Sequence, residues 1–259
     1  MIRLAAVGDV HFGADSAGTL HPHLQRLPDE ADLLLLAGDL TRVGHPSEAA
    51  VLVEELESVP LPILAVLGNH DYHSGQEHAI AELLEDAGMQ VLDGESAVID
   101  VGGTRVGVAG VKGFGGGFVG ASAADFGEVL MKTFVGHTRE VSERLEACLN
   151  GLDVDVRLAL LHYSPTETTL EGERLEIYPF LGSYLLGEAV DRAGADLVIH
   201  GHAHSGTEKG GTPGGVPVRN VAQPVIKRAY NVYCFDAPEL ASAAPAGDGS
   251  GAAPRSSVR

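Results

Sequence analysis

The strongest constraint on the fold is a series of short apolar runs, separated by segments long enough for one helix each. The runs contain three to five residues and lie at positions 4–7, 33–36, 63–67, 158–161 and 197–199. Continuous apolar runs of this length are typical of strands that are covered on both faces. Amphipathic stretches predict helices at 47–58, 77–87, 137–149 and 181–193. The alternation of the two patterns predicts an α/β protein.

Two further patterns predict antiparallel pairing within this framework. Gly102 and Gly103 separate the segments 98–101 and 104–108, which is a signal for a two-residue hairpin. A second hairpin is expected between residues 216–222 and 230–235. Hairpins added to strand–helix units predict the fold class as α/β, a four-layer α/β/β/α sandwich of two stacked mixed β-sheets flanked by helices.

The composition changes near the end of the chain. From Ala241 onward, Ala, Pro, Gly and Ser dominate the sequence. Such a segment buries too little apolar surface to offset the entropy that it would lose on ordering. We therefore expect a single domain at 1–237, followed by a disordered tail at 238–259.

The charge of the chain limits its partners. Its 36 acidic and 17 basic residues give a net charge of −19. A surface this acidic repels phosphate backbones, so we expect no general nucleic-acid binding. No apolar run approaches the roughly 18 residues that a membrane span needs, and the amino terminus lacks the apolar core of a signal peptide. The expectation is a cytoplasmic protein without membrane association, and the sequence leaves its protein partners open.

Polar side chains follow every one of the five apolar runs. They are Asp9 and His11 after the first run, Asp39 after the second, Asn69, His70 and Asp71 after the third, His162 after the fourth, and His202 and His204 after the fifth. In open α/β sheets, ligands bind beyond the carboxyl ends of the strands. We therefore expect these side chains to meet at one edge of the molecule.

The residue types indicate a metal site. Taken singly, an aspartate after a strand is usually a helix cap, and a histidine is usually exposed or hydrogen-bonded. Chance does not explain carboxylates, amides and imidazoles after all five runs. Asp9 and His11 are two residues apart and project to the same side of an extended chain, and His202 and His204 repeat this spacing. Oxygen and nitrogen donors without a thiolate favour manganese, iron or zinc over calcium.

The motifs resemble those of the calcineurin-like metallophosphoesterases. The pattern of that family is Asp-x-His, Gly-Asp, Gly-Asn-His-Asp/Glu, His and Gly-His-x-His. This sequence has all five blocks in the same order, as Asp9-Val10-His11, Gly38-Asp39, Gly68-Asn69-His70-Asp71, His162 and Gly201-His202-Ala203-His204. The resemblance extends from residue 7 to residue 204. Each block alone is a weak signal, whereas five ordered blocks are a specific one.

The resemblance implies a centre of two metal ions, of manganese, iron or zinc, that share Asp39. It implies one site formed by Asp9, His11, Asp39 and His204, and another formed by Asp39, Asn69, His162 and His202. His70 is expected to protonate the leaving-group oxygen or to stabilise the phosphoryl transition state, and Asp71 to accept a hydrogen bond from the His70 ring. The implied reaction is in-line attack on phosphorus by a hydroxide that bridges the two metals.

The implied function is hydrolysis of a small phosphate mono- or diester. Cyclic-nucleotide phosphodiesterases and broad-specificity phosphodiesterases of the family are similar to this chain in size and motif order. The alternative is a catalytically silent scaffold with the same fold that binds other proteins. Such members typically lack ligand residues or the catalytic histidine, whereas this sequence contains them all.

Two neighbouring features have two interpretations each. Arg42 follows the Gly-Asp block, and it either contacts a substrate phosphate or is a solvated loop residue. The glycine-rich segment 110–118 is either a mobile flap, with Phe114 or Phe118 stacking on the substrate, or a plain flexible connection. It lacks the Gly-Lys-Ser/Thr ending of a P-loop, so the P-loop mode of nucleotide binding is not expected.

Overall fold

The computed structural model describes residues 1–235 of the 259-residue chain, so the tail predicted at 238–259 lies outside the described residues. In the described part, the strands are β1 (Ile2–Val7), β2 (Leu33–Ala37), β3 (Ile63–Val66), β4 (Gln90–Val91), β5 (Glu95–Val101), β6 (Thr104–Val111), β7 (Gly117–Phe118), β8 (Ala121–Ser122), β9 (Val156–Leu161), β10 (Leu197–His200), β11 (Lys209–Gly211), β12 (Pro217–Asn220) and β13 (Asn231–Phe235). The α-helices are α1 (His21–Leu24), α2 (Leu27–Glu30), α3 (Pro46–Leu56), α4 (Glu77–Asp86), α5 (Val129–Asn150), α6 (Tyr178–Leu181), α7 (Tyr184–Ala193) and α8 (Gln223–Ile226).

The strands form two large mixed sheets, as predicted. The first sheet has the order β13-β1-β2-β3-β4, and the second has the order β11-β12-β10-β9-β6-β5. In the first sheet β1, β2, β3 and β4 are parallel, and β13 is antiparallel to β1. In the second sheet β12, β10, β9 and β6 are parallel, whereas the edge strands β11 and β5 are antiparallel to their neighbours. Strands β7 and β8 form a separate small hairpin.

The sheets stack face to face, and helices cover both outer faces. The leucines of β2 show the arrangement, because Leu33 and Leu35 pack between the sheets whereas Leu34 and Leu36 pack on the helical side. Helices α3 and α4 cover the first sheet, and α5 and α7 cover the second. Each fully buried leucine contributes about 1.5–3 kcal/mol to stability. The continuous apolar runs are therefore strands covered on both faces, and the four-layer α/β/β/α sandwich is confirmed.

One of the two predicted hairpins is confirmed and the other is wrong. Val101 pairs with Thr104 across Gly102 and Gly103, both of which have positive φ, so β5 and β6 form the expected hairpin. The second prediction fails because β12 and β13 lie in different sheets. β12 pairs with β10 and β11, whereas β13 pairs with β1. An apolar pattern predicts a strand but does not predict which strand it pairs with. No two-residue turn links these two segments, in contrast to the confirmed hairpin.

The predicted helices are present with shifted ends. Helix α5 begins at Val129, two turns before the predicted start at residue 137. The periodic pattern did not reveal this start because the apolar residues of the first turn, Val129 and Leu130, are exposed. The segment predicted as one helix at 181–193 is divided between α6 and α7, with Gly182 and Ser183 between them. Among residues 1–235, no helix is both long and apolar enough to cross a membrane.

The topology brings the ends of strands from both sheets together. The carboxyl ends of β1, β2 and β3 lie side by side in the first sheet, and those of β9 and β10 do so in the second. Main-chain hydrogen bonds connect the loops within each sheet, from the N–H of Asp9 to the carbonyl of Gly38 (2.9 Å) and from the N–H of Gly201 to the carbonyl of His162 (3.2 Å). The N–H of Gly8 donates to the carbonyl of Val221 (2.9 Å) and thereby connects the two sheets. The polar residues after all five runs therefore meet at one edge.

Candidate metal centre

Two groups of metal-binding side chains lie at this edge, and Asp39 belongs to both. The first donor group contains Asp9, His11, Asp39 and His204. The second donor group contains Asp39, His162 and His202. Within each group the potential ligand atoms lie within 4.8 Å of one another. The seventh residue predicted from sequence, Asn69, places its Oδ1 atom 3.0 Å from Nε2 of His162. The structure therefore brings together all seven residues that the sequence singled out.

The first donor group is built around the buried carboxylate of Asp9. His204 Nε2 lies 2.9 Å from Asp9 Oδ1, and the main-chain N–H of His202 donates to the same carboxylate at 2.9 Å. His11 Nε2 lies 3.8 Å from Asp39 Oδ2. Residues nearly 200 positions apart in sequence thus converge on a few oxygen and nitrogen atoms.

Main-chain carbonyls orient the imidazoles of the second donor group. His162 Nδ1 donates to the carbonyl of Ala37 at 2.9 Å, so its Nε2 carries the lone pair and faces Asp39 Oδ1 at 3.3 Å. His202 Nε2 donates to the carbonyl of Phe180 at 3.1 Å, which leaves its Nδ1 free to act as a ligand. A hydrogen bond from one ring nitrogen to a carbonyl is the usual way in which a protein fixes a metal-binding histidine.

The backbone is strained at four of the predicted ligands. Among residues 1–235, five non-glycine residues have positive φ, and four of them are Asp9 (58°), His11 (44°), Asp39 (50°) and His202 (68°). Non-glycine residues seldom adopt this conformation, and it costs on the order of 1–3 kcal/mol at each position. Strain concentrated in this way indicates that the surrounding fold holds these side chains in place for function.

Glycines beside the ligands allow the close approach of the chains. Gly38 has a φ of +81°, and a Cβ atom there would lie 2.6 Å from Nδ1 of His162. A Cβ atom at Gly68 would overlap the main-chain nitrogen and carboxylate of Asp39. The glycines of the Gly-Asp and Gly-Asn-His-Asp blocks are therefore required by packing against the ligands themselves.

Burial changes the proton affinities in the centre. It raises the pKa of Asp9 to about 6, and it lowers the pKa of His162 and of His202 to about 3. The hydrogen bond to Asp9 raises the pKa of His204. Neutral imidazole is the form that binds a metal, and a buried carboxylate is stabilised by a cation. The donor set therefore fits metal ions both in its chemistry and in its electrostatics.

The predicted hydrogen bond between His70 and Asp71 is wrong. His70 Nδ1 instead donates to the carbonyl of Arg42 at 2.7 Å, and its Nε2 lies 4.0 Å from Asp39 Oδ2. Asp71 is fully buried and accepts hydrogen bonds from the main-chain N–H groups of Leu40, Thr41 and Gly68. The side chains of His70 and Asp71 diverge because they are consecutive residues of a tight turn. Asp71 therefore joins two ligand loops and accepts no hydrogen bond from the His70 ring.

The structure shows how both features with two interpretations are packed. Arg42 is exposed and pairs with Asp15 at 2.7 Å, which agrees with a solvated loop residue, and its contact with a substrate phosphate stays a prediction. Phe118 is buried and packs against Tyr178. Phe114 packs against Phe134. The packing of the glycine-rich segment argues against a plain flexible connection, and the flap interpretation stays a prediction.

The sequence did not predict the groups that orient the site side chains through hydrogen bonds. Three of them are the main-chain carbonyls of Ala37, Arg42 and Phe180, which accept hydrogen bonds from the rings of His162, His70 and His202. A main-chain carbonyl has no residue-type signature, so no sequence signal was available. Thr41 holds Asp71 through its hydroxyl at 2.6 Å, and only its position next to Leu40 and Asp39 could have suggested that role.

Comparison with known proteins identifies the class. The family model described as calcineurin-like phosphoesterase matches residues 2–206. The chain therefore belongs to the calcineurin-like phosphoesterase family, and the resemblance seen in the sequence is confirmed. Together with the clustered His and Asp donors, this membership makes the protein a metal-dependent phosphoester hydrolase. A comparison with curated protein sequences finds no match.

Solved structures of low sequence identity share the fold. The chain is similar to phosphopantetheinyl hydrolase from Mycobacterium tuberculosis, with a TM-score of 0.68 and 15% identity over 94% of this chain and 98% of that chain. It is also similar to the protein TT1561 of Thermus thermophilus, with a TM-score of 0.50 and 16% identity over 85% of this chain and 88% of that chain. At these identities the similarity shows a common fold.

Proposed function

We propose that this protein is a dinuclear phosphoesterase that hydrolyses a small phosphate mono- or diester. The observation that carries the proposal is the position of Asp39 in both donor groups. Its Oδ1 faces His162 and its Oδ2 faces His11, so the two oxygens of one carboxylate point to different sets of imidazoles. A carboxylate placed in this way is suited to bridge two ions, for which manganese, iron and zinc are the candidates.

The proposed ligand sets are those expected from the sequence. Asp9, His11, Asp39 and His204 would hold one ion, and Asp39, Asn69, His162 and His202 would hold the other. Metal ions bound there supply Lewis acidity, which neutralises charge on the phosphoryl oxygens and lowers the pKa of coordinated water. The protein has a net charge of −19, so these cations would also make an acidic molecule able to accept a phosphate.

His70 is proposed to act on the leaving group. Its side chain is 41% exposed, so a substrate can reach it, and its ring centroid lies 4.6 Å from that of His11. Because the carbonyl of Arg42 accepts a hydrogen bond from Nδ1, the ring is held with Nε2 toward the centre. The proton on Nε2 of the imidazolium would pass to the departing oxygen, or would remain as a hydrogen bond to a phosphoryl oxygen.

The centre is open to solvent on one side, so a substrate can reach it. His70 and His204 are about two-fifths exposed, whereas Asp9, Asp39 and His162 are buried beneath them. A long nucleic acid would also have to approach a strongly acidic surface, so we propose a small ester. The mono- or diester preference is left to experiment, and the cytoplasmic location stays a prediction.

The test combines metal content with turnover. We expect the purified protein to bind two equivalents of Mn²⁺ and to hydrolyse bis-p-nitrophenyl phosphate or p-nitrophenyl phosphate only with metal present. Asp39→Asn removes one anionic oxygen with little change in shape, and it should reduce both metal affinity and turnover by more than about 100-fold. Asp86→Asn, at an exposed position of α4, is the matched control. Absence of metal-stimulated turnover on both esters would contradict the proposal and favour the scaffold alternative.

A further inference from the structure

A basic cleft lies beside helices α1 and α2. Its volume is about 740 Å³, and it is formed by α1, α2 and the segment that follows α8. The ionisable side chains that line it are His23, Arg26, Glu30, Lys227, Arg228 and Tyr230. A cleft of this size is typical of a small-molecule site.

The charge of the cleft is opposite to that of the protein. Three cations and one carboxylate line it, although the whole chain has only 17 basic residues and a net charge of −19. Arg26 pairs with Glu30 at 3.0 Å. Lys227 and Arg228 are exposed and have no acidic side chain within 4.0 Å among residues 1–235. Two unpaired cations are therefore available to an anion.

A second, smaller cavity adjoins the cleft. It has a volume of about 150 Å³, and His23 and Ala229 line both cavities. Val10 also lines the smaller one. Because Val10 stands between Asp9 and His11 in the sequence, the smaller cavity lies next to the loop that carries two of the proposed ligands.

The backbone fixes one of these cations in an unusual conformation. Lys227 directly follows α8 and has a φ of +53°. Among residues 1–235, it is the one non-glycine residue with positive φ that is not a proposed metal ligand. Its N–H donates to the carbonyl of Gln223 at 2.8 Å, and the N–H of Gln223 donates to the carbonyl of Gly8 at 2.9 Å. Gly8 precedes Asp9, so the position of Lys227 is tied directly to that of the metal centre.

We propose that Lys227 and Arg228 bind a second phosphate group of the substrate, remote from the phosphate that is hydrolysed. The inference rests on the proposed function and narrows its substrate class to small phosphoesters that carry two separate phosphates. The smaller cavity would contain the part of the substrate that joins them. An acidic polypeptide could also neutralise the cations, but the position of the smaller cavity between the cleft and the loop that carries Asp9 and His11 favours an arm of the substrate itself.

Binding of nucleotides that differ in one phosphate tests this directly. With Mn²⁺ present, isothermal titration should show that thymidine 3′,5′-bisphosphate binds about 10-fold more tightly than thymidine 5′-phosphate. Lys227→Asn with Arg228→Gln should abolish that difference, since asparagine tolerates positive φ. The charge-matched control is Lys132→Gln with Arg105→Gln, two exposed residues outside the cleft, which should preserve it. Equal affinity for the two nucleotides, or displacement only by poly-glutamate, would overturn the subsite.

A kinetic measurement separates this inference from the proposed function. The p-nitrophenyl esters of the same two nucleotides, formed at the 5′-phosphate, are compared as substrates. We expect the double variant to raise KM about 10-fold for the ester with a 3′-phosphate, and to leave kcat and the other ester unchanged. Equal KM values for both esters in the wild type, with normal turnover, would refute the subsite alone. Absence of turnover would refute the proposed function, and the binding measurement would still decide the subsite.

Discussion

The carboxylate of Asp71 accepts the main-chain N–H of Thr41 at 2.8 Å and the Thr41 hydroxyl at 2.6 Å. The same carboxylate accepts the N–H of Gly68 at 2.7 Å. Asp71 thereby holds the loop that carries Asp39 against the loop that carries Asn69. Asp71 therefore positions the loops that carry the metal ligands. The carbonyl of Arg42, which accepts a hydrogen bond from His70 Nδ1, orients the His70 ring.

Replacement of Asp71 should weaken metal binding without changing proton transfer. In Asp71→Asn, an amide NH₂ would face N–H donors, so the loop that carries Asp39 would shift. We expect a loss of about 1–3 kcal/mol in the free energy of unfolding and a 10–100-fold loss of metal affinity. Titration with Mn²⁺ and thermal unfolding measure these changes, with Asp86→Asn as the control. A changed pH profile of kcat with unaltered metal affinity would instead show that Asp71 acts on the His70 ring.

Removal of the His70 ring should lower turnover without weakening metal binding. His70→Ala removes the proposed proton donor and should lower kcat by roughly 10²–10⁴. Metal content should stay at the wild-type value, because none of the seven proposed ligands is changed. Metal analysis alongside steady-state kinetics checks both expectations, and His78→Ala at an exposed position of α4 controls for loss of an imidazole. Loss of metal together with activity would show that His70 is a ligand.

The packing of Gly68 against Asp39 predicts a large effect from one methyl group. Gly68→Ala would displace Asp39 and should lower metal affinity by about 100-fold or more. The matched control is Gly136→Ala in α5, where a Cβ atom meets no atom within 4 Å. That variant should gain about 0.5–1 kcal/mol in stability from helix propensity. Normal metal binding by Gly68→Ala would show that the close approach is not required.

The buried His200 makes the stability of the metal-free protein depend on pH. His200 Nδ1 donates to the carbonyl of Gly201 at 2.7 Å, and Nε2 accepts from the Thr169 hydroxyl at 2.8 Å. Burial lowers the pKa of His200 from 6.5 to about 3. The unfolded chain therefore takes up the proton first as the pH falls. The contribution of His200 is complete above pH 6.5 and decreases as the pH falls toward 3.

This linkage has a measurable size. Between pH 7 and pH 5, His200 should account for a loss of about 2 kcal/mol in the free energy of unfolding. His200→Gln keeps an acceptor for Thr169 but has no proton to gain, so its loss over the same interval should be smaller by that amount. Urea denaturation in EDTA at the two pH values measures the difference. Identical losses in wild type and variant would contradict the linkage.

The sequence predicted the metal-binding side chains because they directly follow the apolar runs, and because those runs are strands of the same sheets. Each apolar run ends at the carboxyl edge of a strand, and parallel strands place those edges together. Asp9 and His162 are far apart in the chain, yet both follow such runs, so their meeting follows from topology. The leucines of β2 were equally informative, because an unbroken apolar run requires cover on both faces of the sheet.

The errors have physical reasons that apply elsewhere. Partners of edge strands depend on how the whole sheet is assembled, so β12 and β13 could not be assigned from their own patterns. The direction of a side chain within a turn depends on φ and ψ, which is why the neighbours His70 and Asp71 point to different partners. Lys227 and Arg228 are an ordinary pair of basic residues in the sequence, and only the fold places them beside α1.

Anomalous diffraction from a crystal of the Mn²⁺-loaded protein tests the central claim most directly. The shared position of Asp39 predicts two anomalous peaks about 3.5–4 Å apart, each in contact with one oxygen of the Asp39 carboxylate. A single peak, or two peaks that do not both contact Asp39, would contradict the dinuclear centre.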